Sequence, residues 1–219
     1  DFLRRYGDKV LWLVRDIANP SAADPAFPPF RVFDWYAGHS WAAGLFAFGD
    51  NRNQESTSEA VHAWYAVQLF GAASGDRDVE NLGRLLLGME IASAQTYWQV
   101  QSASAVYPAP LRDQHVIGVR WSTKADVTTF FGGDMAFVYG IQILPVTPVT
   151  EALLAPAWVR DAGPQLLSAA AATTDGWRGI LHLGRSLIDR DGSLAQVMAL
   201  SGFDDGNSRT NSLHFLATR

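Results

Sequence analysis

Between residues 54 and 98 the chain carries helical period twice, interrupted only around Gly75. In the stretch 54–73, Asn53 stands where an N-cap belongs, and Glu55 falls in the first turn, where the helix dipole favours an anion. In the stretch 76–98, Asp76 or Asp78 lies near the start, and Leu82, Leu85, Leu86, Met89 and Ala92 line the interior. A glycine just past one helix, followed at once by a helix-starting acid, leaves room for only a short loop. The two helices must therefore fold back on each other as an antiparallel pair. Such a pair buries its apolar stripes against further helices, which restricts the chain to helix-on-helix architecture.

The rest of the sequence fits that frame. Residues 8–18 have helical period through Val10, Leu11, Leu13, Val14 and Ile17, and Asn19-Pro20 stops the helix. Phe2-Leu3-Arg4-Arg5-Tyr6-Gly7 reads as the tail of a helix begun earlier, so the chain is expected to be part of a longer one. Residues 20–33 hold four prolines and read as an ordered loop, and Gly49-Asp50-Asn51-Arg52-Asn53 as turns. Residues 115–131 suggest one or two short strands or an extended loop. Residues 151–171, 173–189 and 191–202 are expected to be helices. Residues 203–212 are polar and read as loop, with Asp204 and Asp205 as turn formers. No linker or short repeat divides the chain, so residues 1–219 are read as one mostly α domain.

Composition narrows the function. With 48% hydrophobic and 18% charged residues the chain is an ordinary globular one. A net charge of -5 and the absence of a Lys/Arg run argue against nucleic acid and membrane surfaces as partners. No apolar run approaches the roughly 20 residues of a membrane span. Without cysteine there is no disulfide, thiolate metal site or cysteine nucleophile. The five histidines are dispersed without His-x-x-x-His spacing, which argues against a metal, and no Gly-rich phosphate loop or Gly-x-Ser-x-Gly elbow occurs. No cofactor is expected. Eight Trp and six Tyr pair apolar faces with polar tips, which suits sugar stacking as well as core packing.

Two clusters carry candidate chemistry. Asp34-Trp35-Tyr36-Ala37-Gly38-His39-Ser40-Trp41-Ala42 puts an acid, a histidine and three large aromatics in one loop, where binding groups tend to gather. The same residues would equally make a buried aromatic loop with a satisfied histidine. Asn53-Gln54-Glu55-Ser56-Thr57-Ser58-Glu59 puts Glu55 and Glu59 at i and i+4, which on a helix separates their Cβ atoms by roughly 6 Å. No Lys or Arg stands three or four residues after either; His62 follows Glu59 instead. A solvated acidic face is the competing reading. Paired carboxylates are what glycoside hydrolysis uses, one as acid and one as base or nucleophile. A like-charged neighbour raises one pKa, so Glu59 could tune Glu55. Glu90, inside an otherwise apolar helix, reads first as a buried structural acid.

These two clusters, in this order, resemble glycoside hydrolase family 81, the endo-β-1,3-glucanases. The stretch Ile141-Gln142-Ile143-Leu144-Pro145-Val146-Thr147-Pro148 behind Gly132-Gly133, and Asp205-Gly206-Asn207-Ser208-Arg209-Thr210-Asn211-Ser212-Leu213, add to the likeness. The resemblance implies an (α/α)6-barrel catalytic domain, incomplete at its N-terminus, and endo-hydrolysis of β-1,3-glucosidic bonds with inversion. It implies Glu55 as the general base and Glu59 as a required neighbour. Asp34, Tyr36, His39, Trp41, Asn53, Gln54 and Tyr65 would bind the glucan. The partner would be a β-1,3-glucan polysaccharide or oligosaccharide. The protein is expected to act as a monomer, and its substrate implies an extracellular or cell-wall location. His62 and Phe130-Phe131 depart from the family pattern. So does the missing Asp-His-His-Phe-His-type motif that carries the family's general acid. The alternative is therefore a glucan-binding chain without turnover.

Overall fold

A computed structural model describes residues 1–44, 49, 51–204 and 206–219. The Asp50 part of the turn reading and the Asp205 part of the tail lie outside the described residues. The elements run in the order α1 (Phe2–Ala18), β1 (Phe33–Asp34), β2 (His39–Ser40), β3 (Asn53–Gln54), α2 (Thr57–Ser74), α3 (Arg77–Tyr97), α4 (Ala109–Arg112), β4 (Val119–Trp121), β5 (Ala125–Asp126), α5 (Met135–Gly140), α6 (Thr150–Leu153), α7 (Pro156–Asp161), α8 (Gly163–Ala171), α9 (Asp175–Arg185), α10 (Arg190–Met198) and α11 (Arg209–Ala217). Helix accounts for 54% and strand for 8%, so the architecture is mostly α.

The α2–α3 pair is its axis. Ser56, the N-cap of α2, accepts a hydrogen bond from the Glu59 amide at 3.3 Å. Gly75 closes α2 in the left-handed region at φ 77, and Asp76 caps α3 by accepting from the Asp78 and Val79 amides, both at 3.1 Å. Two glycines bring the helices into backbone contact. A Cβ on Gly71 would lie 2.2 Å from the Glu80 nitrogen, and one on Gly83 would lie 2.3 Å from the Gln68 nitrogen. One face of the pair, through Trp64, Val67 and Leu86, packs with Val14 and Ala18 of α1 and with Phe33. The other, through Val61 and Ala94, joins the main core with Tyr139, Ile143, Leu153, Trp158, Leu166, Ile180, Leu183, Val197, Phe215 and Leu216.

Several expected boundaries are corrected. α2 begins at Thr57 rather than 54, because the backbone of Asn53 and Gln54 pairs with Trp121 and Arg120 of β4. Asn53 is therefore a strand residue and not the cap. The stretch 151–171 breaks into α6, α7 and α8, since Pro156 and Pro164 each sit in a first turn, where a missing amide is tolerated. The expected loop 203–212 ends early: Ser208 caps α11, accepting from the Asn211 amide at 3.3 Å. Its polar sequence hid a buried seam of Ser212, Phe215 and Leu216. Asp204 does form a turn, accepting from the Gly206 amide at 2.9 Å.

Candidate active site

A cleft of about 370 Å³ opens where β2, β3 and the start of α2 meet, lined by Ser40, Trp41, Gln54, Glu55, Glu59 and Trp64 among others. Glu55 occupies the strand-to-helix step between β3 and α2, so the expected i, i+4 pairing on a single helical face is corrected. Glu55 precedes the helix, and Glu59 projects from its first turn. Both nevertheless line the cleft.

The position of Glu55 is set from the interior. Gln142, wholly buried, donates from Nε2 to the Glu55 carbonyl at 2.6 Å and to the Gly118 carbonyl at 3.3 Å. Its Oε1 accepts from the Thr57 hydroxyl at 2.7 Å and the Thr57 amide at 3.3 Å. The hydroxyls of Ser56 and Ser58 donate to the Ile141 carbonyl at 3.1 and 2.8 Å. His62 adds a strut: Nδ1 faces the Ser58 carbonyl at 2.6 Å and must carry the proton, which leaves Nε2 to accept from Thr147 Oγ1 at 2.8 Å. The carboxylate itself accepts from the Phe130 amide at 2.6 Å through Oε1. Burial raises the pKa of Glu55 above the usual value; the Phe130 amide opposes this, and the Glu59 charge adds a smaller push upward.

The other cluster folds into a brace. Oδ1 of Asp34 accepts from the amides of Tyr36 and Ala37 at 3.0 and 3.2 Å; Oδ2 accepts from the Trp41 indole at 3.0 Å and from Arg52 at 2.7 Å. Burial alone would raise its pKa, but the Trp41, Ala37 and Tyr36 donors and the Arg52 charge outweigh it, so the carboxyl sits below its ordinary value. Asp34 is ionised and saturated. His39 is wholly buried: Nδ1 donates to the Ser40 carbonyl at 2.7 Å, and Nε2 accepts from Arg120. It is thus removed from the cleft surface where it was expected, because it wedges between Trp41 and Trp98 at ring distances of 4.3 and 5.0 Å. Trp41 does line the cleft, while Tyr36 is fully exposed and Tyr65 packs against the main core. Asn53 is buried and its carbonyl accepts from the Ala42 amide at 2.8 Å, tying the two clusters together.

Beneath the cleft lies Glu90, wholly buried. Its Oε2 accepts from the Ser40 amide and hydroxyl, both at 2.8 Å, and from the Trp64 indole at 3.0 Å, while Oε1 is buried and has no partner among the described residues. Burial pushes its pKa up to about 7, against the opposing Ser40 and Trp64 bonds. Burial likewise pushes His39 down to about 4. The two act on stability in opposite senses. The native state holds the Glu90 proton more tightly than the unfolded chain, so its contribution is complete at low pH and is lost as pH rises from the usual 4.5 through about 7. The native state resists protonation of His39, so that contribution is lost as pH falls from 6.5 through about 4. Each shift corresponds to about 3 kcal/mol. Where the windows overlap the slopes offset each other. Glu90→Gln should therefore make stability decline more steeply than in the parent as pH falls from about 6.5 to about 4.5, read as urea midpoint against pH. A variant profile parallel to the parent's would remove Glu90 from this balance.

Gln142, Glu90, Arg120 and Phe130 were not assigned to the site from the sequence. A polar residue inside Ile141-Gln142-Ile143, or an acid inside Met89-Glu90-Ile91, was the available clue, since a buried polar group needs partners.

Residues 1–213 match the glycosyl hydrolase family 81 C-terminal domain. The primary septum glucan endo-1,3-beta-D-glucosidase of Schizosaccharomyces pombe is 34% identical over 214 residues, which cover 95% of this chain and 21% of that protein. A glucan endo-1,3-beta-D-glucosidase of Glycine max is 34% identical over 224 residues, 99% of this chain and 34% of that protein. The chain spans between about a fifth and a third of the length of these curated relatives. Among solved structures, the glycoside hydrolase family 81 protein from Clostridium thermocellum, determined as a mutant, aligns with a TM-score of 0.86 at 28% identity, over 97% of this chain and 30% of that one. With residues 1–213 of this chain matched to the family's C-terminal domain and the helical (α/α)-type fold in common, this chain belongs to glycosyl hydrolase family 81.

Proposed function

We propose that the chain carries the base side of an endo-β-1,3-glucan hydrolase that works with inversion. The observation that carries this reading is Glu55: a half-buried carboxylate, clamped through its own peptide by Gln142, facing a cleft it shares with Glu59. Its Oε1 is held by the Phe130 amide, and among the described residues Oε2 has no hydrogen-bond partner, which leaves that oxygen to take a proton from water. A raised pKa brings a carboxylate base closer to operating pH and so strengthens it. Water would attack the anomeric carbon, its proton passing to Glu55 as the bond to the leaving oxygen breaks and that oxygen takes a proton from a general acid, with Glu59 orienting the water and keeping Glu55 basic. Trp41 and the polar edge of Gln54 would line the glucan's path. The relatives' names support β-1,3-glucan as the substrate and an extracellular or cell-wall setting. We read residues 1–219 as one domain acting as a monomer.

The leaving oxygen also needs a proton, and Asp34 is unfit to supply it, being ionised and bound by four donors. That observation favours the second reading, glucan binding without turnover. Laminarin incubated with the purified chain separates them. Release of reducing ends with the α-anomer formed first, followed by proton NMR, would carry the first reading. β-Anomer first would refute inversion, and tight binding without release would establish the second reading.

A further inference from the structure

The turn that holds the Glu55 carboxylate is pinned at its root and bare at its tip. The Thr129 amide and hydroxyl both donate to the Gly132 carbonyl, at 2.9 and 2.6 Å. A Cβ on Gly118 would lie 2.0 Å from the Thr128 carbonyl oxygen, so the root rests directly on the backbone that leads into β4. The tip presents Phe130 and Phe131, 61% and 51% exposed. A phenyl ring in water forgoes burial, and here two consecutive residues of a pinned turn both leave more than half of their surface exposed. Their surroundings differ. Phe131 leans on Phe137 and Trp177 at ring distances of 5.4 and 6.0 Å. Among the described residues, the ring of Phe130 pairs with one other aromatic ring, that of Trp121, at 5.9 Å and 73°. Its own amide is the one that donates to Glu55 Oε1 at 2.6 Å.

A β-linked glucose ring carries its hydroxyls equatorially and shows C–H bonds on both faces, the surface that an aromatic face takes up. We propose that Phe130 is a sugar-stacking platform of this active site: its ring receives the apolar face of the glucosyl unit beside the scissile bond, while its amide keeps Glu55 in register with that unit. One residue thus ties substrate position to base position. The inference rests on the reading of Glu55 as the base.

The test compares laminarihexaose binding, by calorimetry, and hydrolysis for the parent, Phe130→Ala, Phe130→Tyr and Phe131→Ala. Phe130→Ala keeps the amide and removes the ring, so Kd and KM should rise about tenfold with kcat changed less than about threefold. Phe130→Tyr should restore both, and Phe131→Ala should move them by less than about threefold. Kd and KM within about twofold of the parent in Phe130→Ala would overturn the platform, as would an equal effect of Phe131→Ala. A parent that binds without hydrolysing would establish glucan binding without turnover, and Kd would then decide the platform. A parent that does not bind laminarihexaose would overturn both.

Discussion

With Gln in place of Glu55, laminarin hydrolysis should fall by about 10²–10⁴-fold, the usual contribution of a general base. Laminarihexaose affinity should stay within about twofold, because the substitution keeps shape and hydrogen-bonding capacity while removing the negative charge. The side-chain oxygen of Gln can still accept from the Phe130 amide, and the backbone carbonyl at 55 still accepts from Gln142. The acidic limb of kcat/KM should belong to Glu55, and it should lie above the ordinary carboxylate value because burial raises that group. In the variant the limb should vanish along with most of the rate. Loss of affinity together with rate would instead make Glu55 a fold anchor and remove the basis for calling it the base.

Gly83→Ala, like Gly71→Ala, should be among the most damaging single methyl groups in the hairpin. The added carbon would meet backbone, 2.3 Å from the Gln68 nitrogen and 2.6 Å from its Cα, so no side chain can swing aside to admit it. The helices must separate along their whole crossing, at a loss of about 3 kcal/mol or more, the upper end for overpacked sites. In a chain of this size that lowers Tm by about 6–12 °C. Gly88→Ala is the matched control. It lies in the same helix, nothing comes within 4 Å of its added carbon, and helix propensity favours Ala, so Tm should rise by about 1–3 °C. Equal behaviour of the two variants would mean that backbone contact does not hold the pair together.

Much of this architecture was legible because it is local. The α2–α3 hairpin announces itself through period, Gly75 and Asp76, each acting within a turn or two of its own position. What the sequence misplaced was decided at a distance. Asn53 and Gln54 look like a helix start until a strand some seventy residues on captures their backbone. Glu55 was picked out as the base through a family resemblance, whereas its setting depends on Gln142 and Phe130, which no spacing rule connects to it. Asp34 and His39 have the residue types of a binding loop, yet the structure spends their polar atoms on Arg52, Trp41 and Arg120. Residue type alone does not distinguish a ligand's partner from a loop's own fastening.

The Gln142 amide has one more implication, for the order in which the molecule becomes competent. Its four bonds reach the start of α2, the carbonyl of Gly118 and the Glu55 peptide, so they form only when three separately coiled parts of the chain have converged. A half-assembled molecule can own a finished hairpin and still have no site. Glucan engagement at the Glu55 cleft would therefore serve as a completion test, blind to every intermediate that far-ultraviolet dichroism would score as helical.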